Sequence, residues 1–158
     1  FSSLSKRSNS PGLRSGFVAR DAAVLKPYYL YRTYQGGAMP PANYAASLAA
    51  WGDEAHVIEN RRLYREKFDA VLKVFGTSVP ATRPEAAFYL WLPTPIPDTE
   101  FARRLYAEFN VSVLPATFLA REARGVNPGQ GYVRIALVAS TEECVEAAQR
   151  INEFFKRL

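Results

Sequence analysis

The spacing of apolar and polar side chains predicts a short strand and two helices in the first 52 residues. Residues 16–19 are mostly apolar and typical of a strand, and Asp21 is placed to begin a helix shortly after them. An aromatic-rich stretch follows and is ended by Gly36 and Gly37. The adjacent prolines at 40 and 41 then suit the first turn of a helix that runs to Trp51.

A longer helix is predicted between Asp53, a favourable N-cap residue, and Gly76. One face of this helix is predicted from residues that recur at helical spacing, namely Val57, Arg61, Tyr64, Phe68, Val71, Leu72 and Phe75. Near Thr77 the pattern changes to short strands that alternate with helices. We therefore expect three parts: residues 1–52, an interdomain helix over 53–76 and a smaller α/β domain over 77–158.

In that smaller domain, three apolar runs predict strands over 87–92, 111–114 and 132–138, the first of them fully buried. Asp98 or Thr99 is expected to cap a helix after the first strand. Ser140 and Glu143 have the spacing of a capping box for the last helix. The apolar face of that helix is predicted to consist of Val145, Ala148, Ile151 and Phe154 or Phe155.

Composition narrows the range of functions. The net charge of +5 is spread along the chain rather than gathered in a basic block, so we expect no nucleic-acid partner. No apolar run reaches the roughly 20 residues of a membrane-spanning helix, so we expect no membrane partner. A lone cysteine cannot form an internal disulfide, which fits a reducing compartment, and we therefore expect a cytoplasmic location. The single cysteine, Cys144, is interpreted as a packing residue, and His56 as a surface residue without a metal-ligand partner.

The first 17 residues carry the clearest chemical pattern. Lys6 follows Ser3 by three positions, and Arg14 follows Lys6 by eight, after a Pro-Gly turn. A lysine amine can hold an aldehyde cofactor covalently, while a nearby hydroxyl and guanidinium can bind that cofactor's phosphate. Taken singly, Lys6 and Arg14 would be interpreted as ordinary solvated charges.

Taken together, the order Ser-x-Ser-Lys followed by Pro-Gly-x-Arg-x-Gly-Phe resembles the signature of the class I/II aminotransferases, which are fold-type I enzymes dependent on pyridoxal 5′-phosphate (PLP). The resemblance implies an α/β fold, with residues 1–52 at the end of the large PLP-binding domain. It implies that Lys6 binds the cofactor covalently and acts in catalysis, and that Ser3 and Arg14 bind its phosphate. Arg7 either lowers the pKa of Lys6 by like-charge repulsion or points away from it.

Arg134 interrupts the apolar run of the third predicted strand. Read alone, it is a side chain on the polar face of that strand, paired with Glu108 or Glu122. Read with the lysine motif and the preceding Asn127-Pro128-Gly129-Gln130-Gly131, it resembles the aminotransferase arginine that binds the substrate α-carboxylate. A planar guanidinium matches both oxygens of a carboxylate and so fixes the amino acid for reaction at Cα.

Longer runs, especially FLAREARGVNPGQGYVRIALV, resemble those of bacterial N-succinyldiaminopimelate aminotransferases. That resemblance implies amino transfer between glutamate and an N-succinylated 2-amino-6-oxopimelate in lysine biosynthesis, with amino acid and 2-oxo acid substrates, PLP as the cofactor, no metal, and a homodimer. In these enzymes, several PLP-binding groups precede the lysine. We therefore expect the chain to be the C-terminal part of a longer enzyme and to be inactive alone.

Three alternatives remain at this point. The chain could come from another class I/II aminotransferase, for aspartate, alanine or an aromatic acid. It could be the aminotransferase-like domain of a transcription regulator that senses PLP. It could also be a degenerate fragment that serves as an interaction surface, with Lys6 unmodified. The sequence before Phe1 would discriminate among them.

Overall fold

The chain divides into two units, Phe1–Arg62 and Leu63–Leu158, in the computed structural model, which describes all 158 residues. The fold class is α/β, as predicted. Unit 1 contains β1 (Ser2–Ser3), α1 (Leu4–Arg7), β2 (Gly16–Phe17), α2 (Ala22–Gln35), α3 (Pro41–Gly52) and the start of α4 (Ala55–Phe75). The remainder of α4 belongs to unit 2. The domain boundaries at 52 and 76 stay a prediction.

Local sequence signals set the helix starts in unit 1. The Asp21 carboxylate accepts the Ala23 N–H at 2.8 Å, as its predicted N-cap role requires. Pro41 is the first residue of α3, where its missing N–H has no cost. The Asp53 carboxylate accepts the Ala55 N–H at 2.9 Å at the start of α4. These three predicted starts are confirmed.

Unit 2 contains the remainder of α4 and the following elements: β3 (Tyr89–Pro93), α5 (Asp98–Phe109), β4 (Leu114–Pro115), β5 (Tyr132–Ala136) and α6 (Thr141–Lys156). Its sheet is antiparallel in the order β3-β5-β4, so β5 is central. The register sets Trp91 of β3 and Leu114 of β4 on either side of Arg134 in β5. All three predicted strands exist, with shifted ends.

The core of unit 2 lies on one face of this sheet. Side chains alternate in direction along a strand, so Val133 and Ile135 of β5 face the same way as Leu90 and Leu92 of β3. Helices α4, α5 and α6 cover that face with further buried residues, which include Phe68, Val71, Phe75, Phe101, Leu105, Cys144, Ala148, Ile151 and Phe154. The opposite face carries Arg134.

Two expectations about packing need correction. The first strand is not buried throughout, because Trp91 is 36% exposed between buried Leu90 and Leu92. An antiparallel sheet with helices on one face produces this alternation. In α6 the capping box of Ser140 and Glu143 is confirmed, but the buried face includes Cys144 rather than Val145. Cys144 is a packing residue, as expected, and burial raises the pKa of its thiol.

The helix α5 begins differently from the prediction. Its N-cap is Pro97, and no side chain caps it. Asp98 is the first helical residue, and its buried carboxylate reaches a loop instead. No helix of the chain is both long enough and apolar enough to cross a membrane.

Candidate functional site

Lys6 is the third residue of α1, a helix of only four residues. Leu4 anchors this helix, because its side chain is fully buried and its N–H donates to the Ser15 carbonyl at 3.1 Å. Antiparallel pairing of β1 with β2 brings the two ends of the segment together, with Ser3 opposite Gly16. Lys6 itself is exposed to solvent on this closed loop.

The Ser3 hydroxyl lies at the N-terminus of the same helix. It accepts the Ser5 N–H at 3.1 Å, and its own proton is within reach of the Ser15 carbonyl at 3.2 Å and the Ser5 hydroxyl at 3.0 Å. Ser3 and Lys6 are therefore one helical turn apart. Donation to a phosphate requires the Ser3 proton to leave these internal acceptors.

Arg14 ends the loop in the left-handed region, with φ 49° and ψ 36°. This conformation is uncommon for a residue with a side chain and costs roughly 1 kcal/mol. The Arg14 guanidinium is exposed and makes a long 3.4 Å contact with the Pro11 carbonyl. Its neighbour Ser15 accepts from both Leu4 and Ser3. The hydroxyl, amine and guanidinium thus belong to one closed loop, and this set of donors fits an aldehyde that carries a phosphate.

The Arg7 side chain is directed toward the end of α3 and the start of α4. Its guanidinium donates to the Ala50 carbonyl at 2.8 Å and pairs with the Glu54 carboxylate. It also lies over the Trp51 ring, 5.1 Å from the ring centre. The second sequence alternative, that the Arg7 side chain points away from Lys6, describes the structure.

His56 makes hydrogen bonds that the sequence did not predict. It is not a free surface side chain, because Nε2 lies 2.8 Å from the Ser8 hydroxyl and Nδ1 lies 2.5 Å from the Asp53 carboxylate. The hydrogen bond from His56 lowers the pKa of Asp53. Ser8 is 48 positions away in the sequence, so no local pattern could reveal this contact.

Arg134 lies in unit 2, on the central strand and on the face opposite the core. Its side chain is half-buried, its Nε atom is buried without a hydrogen-bond partner, and its guanidinium lies 5.5 Å from the centre of the Tyr89 ring. The expected ion pair with Glu108 is absent, because Glu108 pairs with Arg104, and Glu122 does not replace it. A half-buried guanidinium that lacks an anion is suited to bind one.

A buried carboxylate holds the loops beside Arg134. Asp98 accepts the Thr117 N–H at 3.0 Å and the Thr117 hydroxyl at 2.5 Å. Burial alone would raise the pKa of Asp98, but the hydrogen bonds from Thr117 and Gly131 outweigh it and lower that pKa. Asn127 continues the network by donating to the Thr117 carbonyl at 3.2 Å.

The same network explains a glycine in this loop. The Asn127 side chain accepts the Gly129 N–H at 2.9 Å, which brings Gly129 against the Ala116 carbonyl. A Cβ atom at position 129 would overlap that carbonyl oxygen. The Asn-Pro-Gly run that precedes Arg134 in the sequence is thus a packing requirement of the loop before β5.

Comparisons with a family model, with curated proteins and with solved structures all point to one family. The sequence pattern described as "Aminotransferase class I and II" matches residues 1–151. The LL-diaminopimelate aminotransferase of Syntrophobacter fumaroxidans is 31% identical over 97% of this chain and 39% of its own length. The chain therefore spans about 39% of the length of this curated relative.

Two solved structures extend the comparison. An aminotransferase from Neisseria meningitidis is 54% identical, with a TM-score of 0.90 over 97% of this chain and 39% of that one. A probable N-succinyldiaminopimelate aminotransferase from Thermus thermophilus is 37% identical, with a TM-score of 0.53 over 66% of this chain and 27% of that one. These matches agree with the expected C-terminal portion of such a fold.

Replacement of Asp98 tests whether its carboxylate anchors the loop. In D98A the Thr117 N–H and hydroxyl lose their acceptor, so we expect the free energy of unfolding to fall by about 3 kcal/mol in urea denaturation. The matched control is E100Q, which also removes a negative charge from the first turn of α5 but from an exposed position. Equal losses in D98A and E100Q would mean that Asp98 acts only on the helix dipole.

The D98A effect should depend on pH with a defined sign. A carboxyl whose pKa is lowered by folding stabilises the folded state above its unfolded pKa, about 3.9, and this stabilisation is lost as pH falls through the lower folded value. The stability difference between wild type and D98A should therefore be constant above about pH 5 and shrink in more acidic buffer. A difference that grows on acidification would contradict the assignment.

Proposed function

The chain belongs to the class I and II aminotransferases, a family of PLP-dependent enzymes, and we propose that its parent protein transfers an amino group between an amino acid and a 2-oxo acid. The observation that carries this proposal is the closed loop that places Lys6 one turn from Ser3 and on the same loop as Arg14. Because the chain spans 39% of its relative's length, the activity is proposed for the whole protein.

Lys6 is proposed to hold the cofactor through its amine. When bound, PLP supplies an electron sink that makes a Cα–H bond of the substrate acidic. With the cofactor and a substrate bound, the Lys6 amine would serve as the general base that takes the Cα proton and as the general acid that gives it back. Its exposed position at the third residue of α1 is consistent with that access.

Ser3 and Arg14 are proposed to hold the cofactor phosphate. The Arg14 guanidinium makes only one long internal hydrogen bond, so most of its donors are available to an anion. The Ser3 hydroxyl can add one further donor after it rotates away from Ser15. A phosphate dianion gains most from the guanidinium, because that contact is charge-assisted and bidentate.

Arg134 is proposed to bind the substrate α-carboxylate. Support comes from its buried, unpartnered Nε and from the absence of an ion pair to any acidic residue of the chain. The two flanking core residues, Val133 and Ile135, hold the strand backbone in place, and the Tyr89 ring lies against the guanidinium. A fixed guanidinium orients the amino acid as well as binding it.

For the specific substrate we propose N-succinyl-LL-2,6-diaminopimelate with 2-oxoglutarate, as in lysine biosynthesis. Support comes from two similar proteins, the LL-diaminopimelate aminotransferase of Syntrophobacter fumaroxidans and the probable N-succinyldiaminopimelate aminotransferase of Thermus thermophilus, because both names refer to a diaminopimelate skeleton. Free LL-diaminopimelate is the second candidate, favoured by the Syntrophobacter fumaroxidans relative. The two differ by one succinyl group, which removes the charge of the distal amine.

A cytoplasmic homodimer is also proposed, as the family resemblance implies. Helix α2 supports contact with a further protein surface, because none of its residues is buried within this chain. Its large exposed side chains are Val24, Tyr28, Tyr29, Leu30, Tyr31 and Tyr34. Exposure of this many large side chains on one helix is typical of an interaction surface.

Covalent labelling tests the role of Lys6. After PLP is added to the full-length protein and borohydride is used for reduction, we expect a pyridoxyl mass on the peptide that contains Lys6. K6R keeps the charge but cannot form the covalent link, so it should carry no label and lose amino transfer. K26R is the matched control and should be labelled like the wild type. Labelling of a different lysine would overturn the assignment.

A substrate panel tests the proposed reaction. The full-length enzyme should transfer nitrogen to 2-oxoglutarate from N-succinyl-LL-2,6-diaminopimelate with a higher kcat/KM than from free LL-diaminopimelate, aspartate, alanine or phenylalanine. A higher kcat/KM for free LL-diaminopimelate would select the second candidate. A preference for one of the other amino acids would contradict both.

Replacement of Arg134 tests carboxylate binding. R134Q loses a charge-assisted contact worth roughly 2–3 kcal/mol, so kcat/KM should fall about 30- to 150-fold for every amino donor alike. R134K should fall less, because lysine keeps the charge but not the planar fork. R104Q, which removes a surface arginine paired with Glu108, should behave as wild type. An R134Q enzyme that binds every donor normally would refute the role.

A further inference from the structure

The side chains of the three residues directly after Lys6 all contact one segment of the chain. Arg7, Ser8 and Asn9 each make a side-chain contact with the segment 50–60, where α3 ends and α4 begins. We propose that these contacts, which we call the latch, hold the Lys6 amine in its reactive position, and that Arg7 and His56 are positioning residues for that lysine. The inference rests on the proposed function, because it assigns the latch to the same lysine.

Arg7 is a largely buried member of the latch, with 15% of its side chain exposed. Its Nη1 donates to the Ala50 carbonyl at 2.8 Å, which lies in the last turn of α3. The last four carbonyls of a helix have no internal partner, and a cation there also interacts favourably with the helix dipole. The Arg7 guanidinium therefore satisfies the end of α3 while the Trp51 ring covers it.

His56 forms the second contact of the latch. One ring nitrogen faces the Ser8 hydroxyl and the other faces the Asp53 carboxylate, and Asp53 in turn accepts the Ala55 N–H. The side chain thus ties the residue two positions after Lys6 to the first turn of α4. It uses both of its nitrogens, so neither a shorter side chain nor one with a single polar end can replace it.

Ser8, His56 and Asp53 are hydrogen-bonded in the same order as the serine, histidine and aspartate of a catalytic triad, in which the histidine activates the serine as a nucleophile. Such a site needs free amides to stabilise an oxyanion. Here the Ser8 and Ser10 amides both donate to the Leu4 carbonyl, at 3.1 Å and 3.2 Å. Neither is available to a substrate, so the arrangement favours positioning over hydrolysis.

Asn9 forms the third contact, with its amide nitrogen 3.0 Å from the Asn60 side-chain oxygen. Its backbone is left-handed, with φ 50°. Asparagine tolerates this conformation better than most residues, and the turn that it makes ends α1 directly after Arg7 and Ser8. The left-handed turn therefore directs the chain toward α4 within three residues of Lys6.

Positioning from outside is needed because α1 cannot hold itself. A helix of four residues contains about one turn and pays the full cost of helix nucleation. Leu4 fixes its first residue by burial, and the hydrogen bond that closes its end, from the Ser8 N–H, returns to the carbonyl of the same Leu4. The latch supplies a further restraint. A displacement of the reacting group by about 1 Å is enough to cost roughly 100-fold in rate.

The test compares R7M, H56F and the control R62Q in the full-length protein with PLP. Arg62 lies on α4 and pairs with Glu59, outside the latch. All three variants should be labelled at Lys6 after borohydride reduction. In R7M and H56F we expect kcat to fall about 10- to 100-fold with KM changed less than about twofold, whereas R62Q keeps both values. R7K should recover part of the loss, since it can still donate to Ala50.

A second measurement does not depend on the cofactor. In the apo-protein, backbone amides of the peptide that contains Lys6 should exchange hydrogen faster in R7M and H56F than in R62Q, while peptides of β5 exchange equally in all three. If R7M does not fold, N60A replaces it, because it removes only the partner of Asn9, and the same faster exchange is expected.

The outcomes separate the two proposals. An unlabelled Lys6 in the wild-type protein overturns the proposed function, and the inference with it. A labelled Lys6 together with unchanged kcat and unchanged exchange in R7M and H56F overturns the latch alone. A fall in kcat of R62Q as large as that of R7M also overturns it, because the effect would then belong to α4 in general.

Discussion

The proposed function requires a one-turn helix to present Lys6 at a fixed position, and contacts within unit 1 restrain that helix. Leu4 is buried at its start, the Leu4 N–H closes the loop onto Ser15, and pairing of β1 with β2 joins the two ends. Arg7 bonds the other end to α3. Since nucleation of so short a helix is unfavourable, these contacts have to supply its stability.

In unit 2, a strand of the sheet positions the candidate residue Arg134. Arg134 is presented by a strand rather than by a short helix, and its neighbours Val133 and Ile135 anchor that strand in the core. A polar side chain between two buried apolar ones has to face the other side of the sheet. Asp98 then fixes the adjoining loop through Thr117. The candidate carboxylate-binding group is thereby supported on both sides.

Local signals in the sequence were sufficient for the longer helices and the family motif, but not for β1 or the one-turn helix α1. Asp21, Pro41 and the Ser140–Glu143 capping box were predicted correctly, because each acts on residues within a few positions of itself. Asp98 looked like a cap but binds Thr117, 19 positions away, and His56 binds Ser8 across 48. Contacts between residues so far apart in the sequence depend on tertiary packing. The spacing of residues along the chain does not reveal that packing. The role of Lys6 came from a motif, and its restraint by Arg7 only from the structure.

The most direct test of the account is a crystal structure of the full-length protein grown with PLP. The account predicts continuous electron density between the Lys6 amine and the cofactor, with the phosphate within hydrogen-bond distance of Arg14 and the Arg7 guanidinium still on the Ala50 carbonyl. A cofactor bound elsewhere, or a Lys6 side chain directed into solvent beside an occupied site, would contradict it.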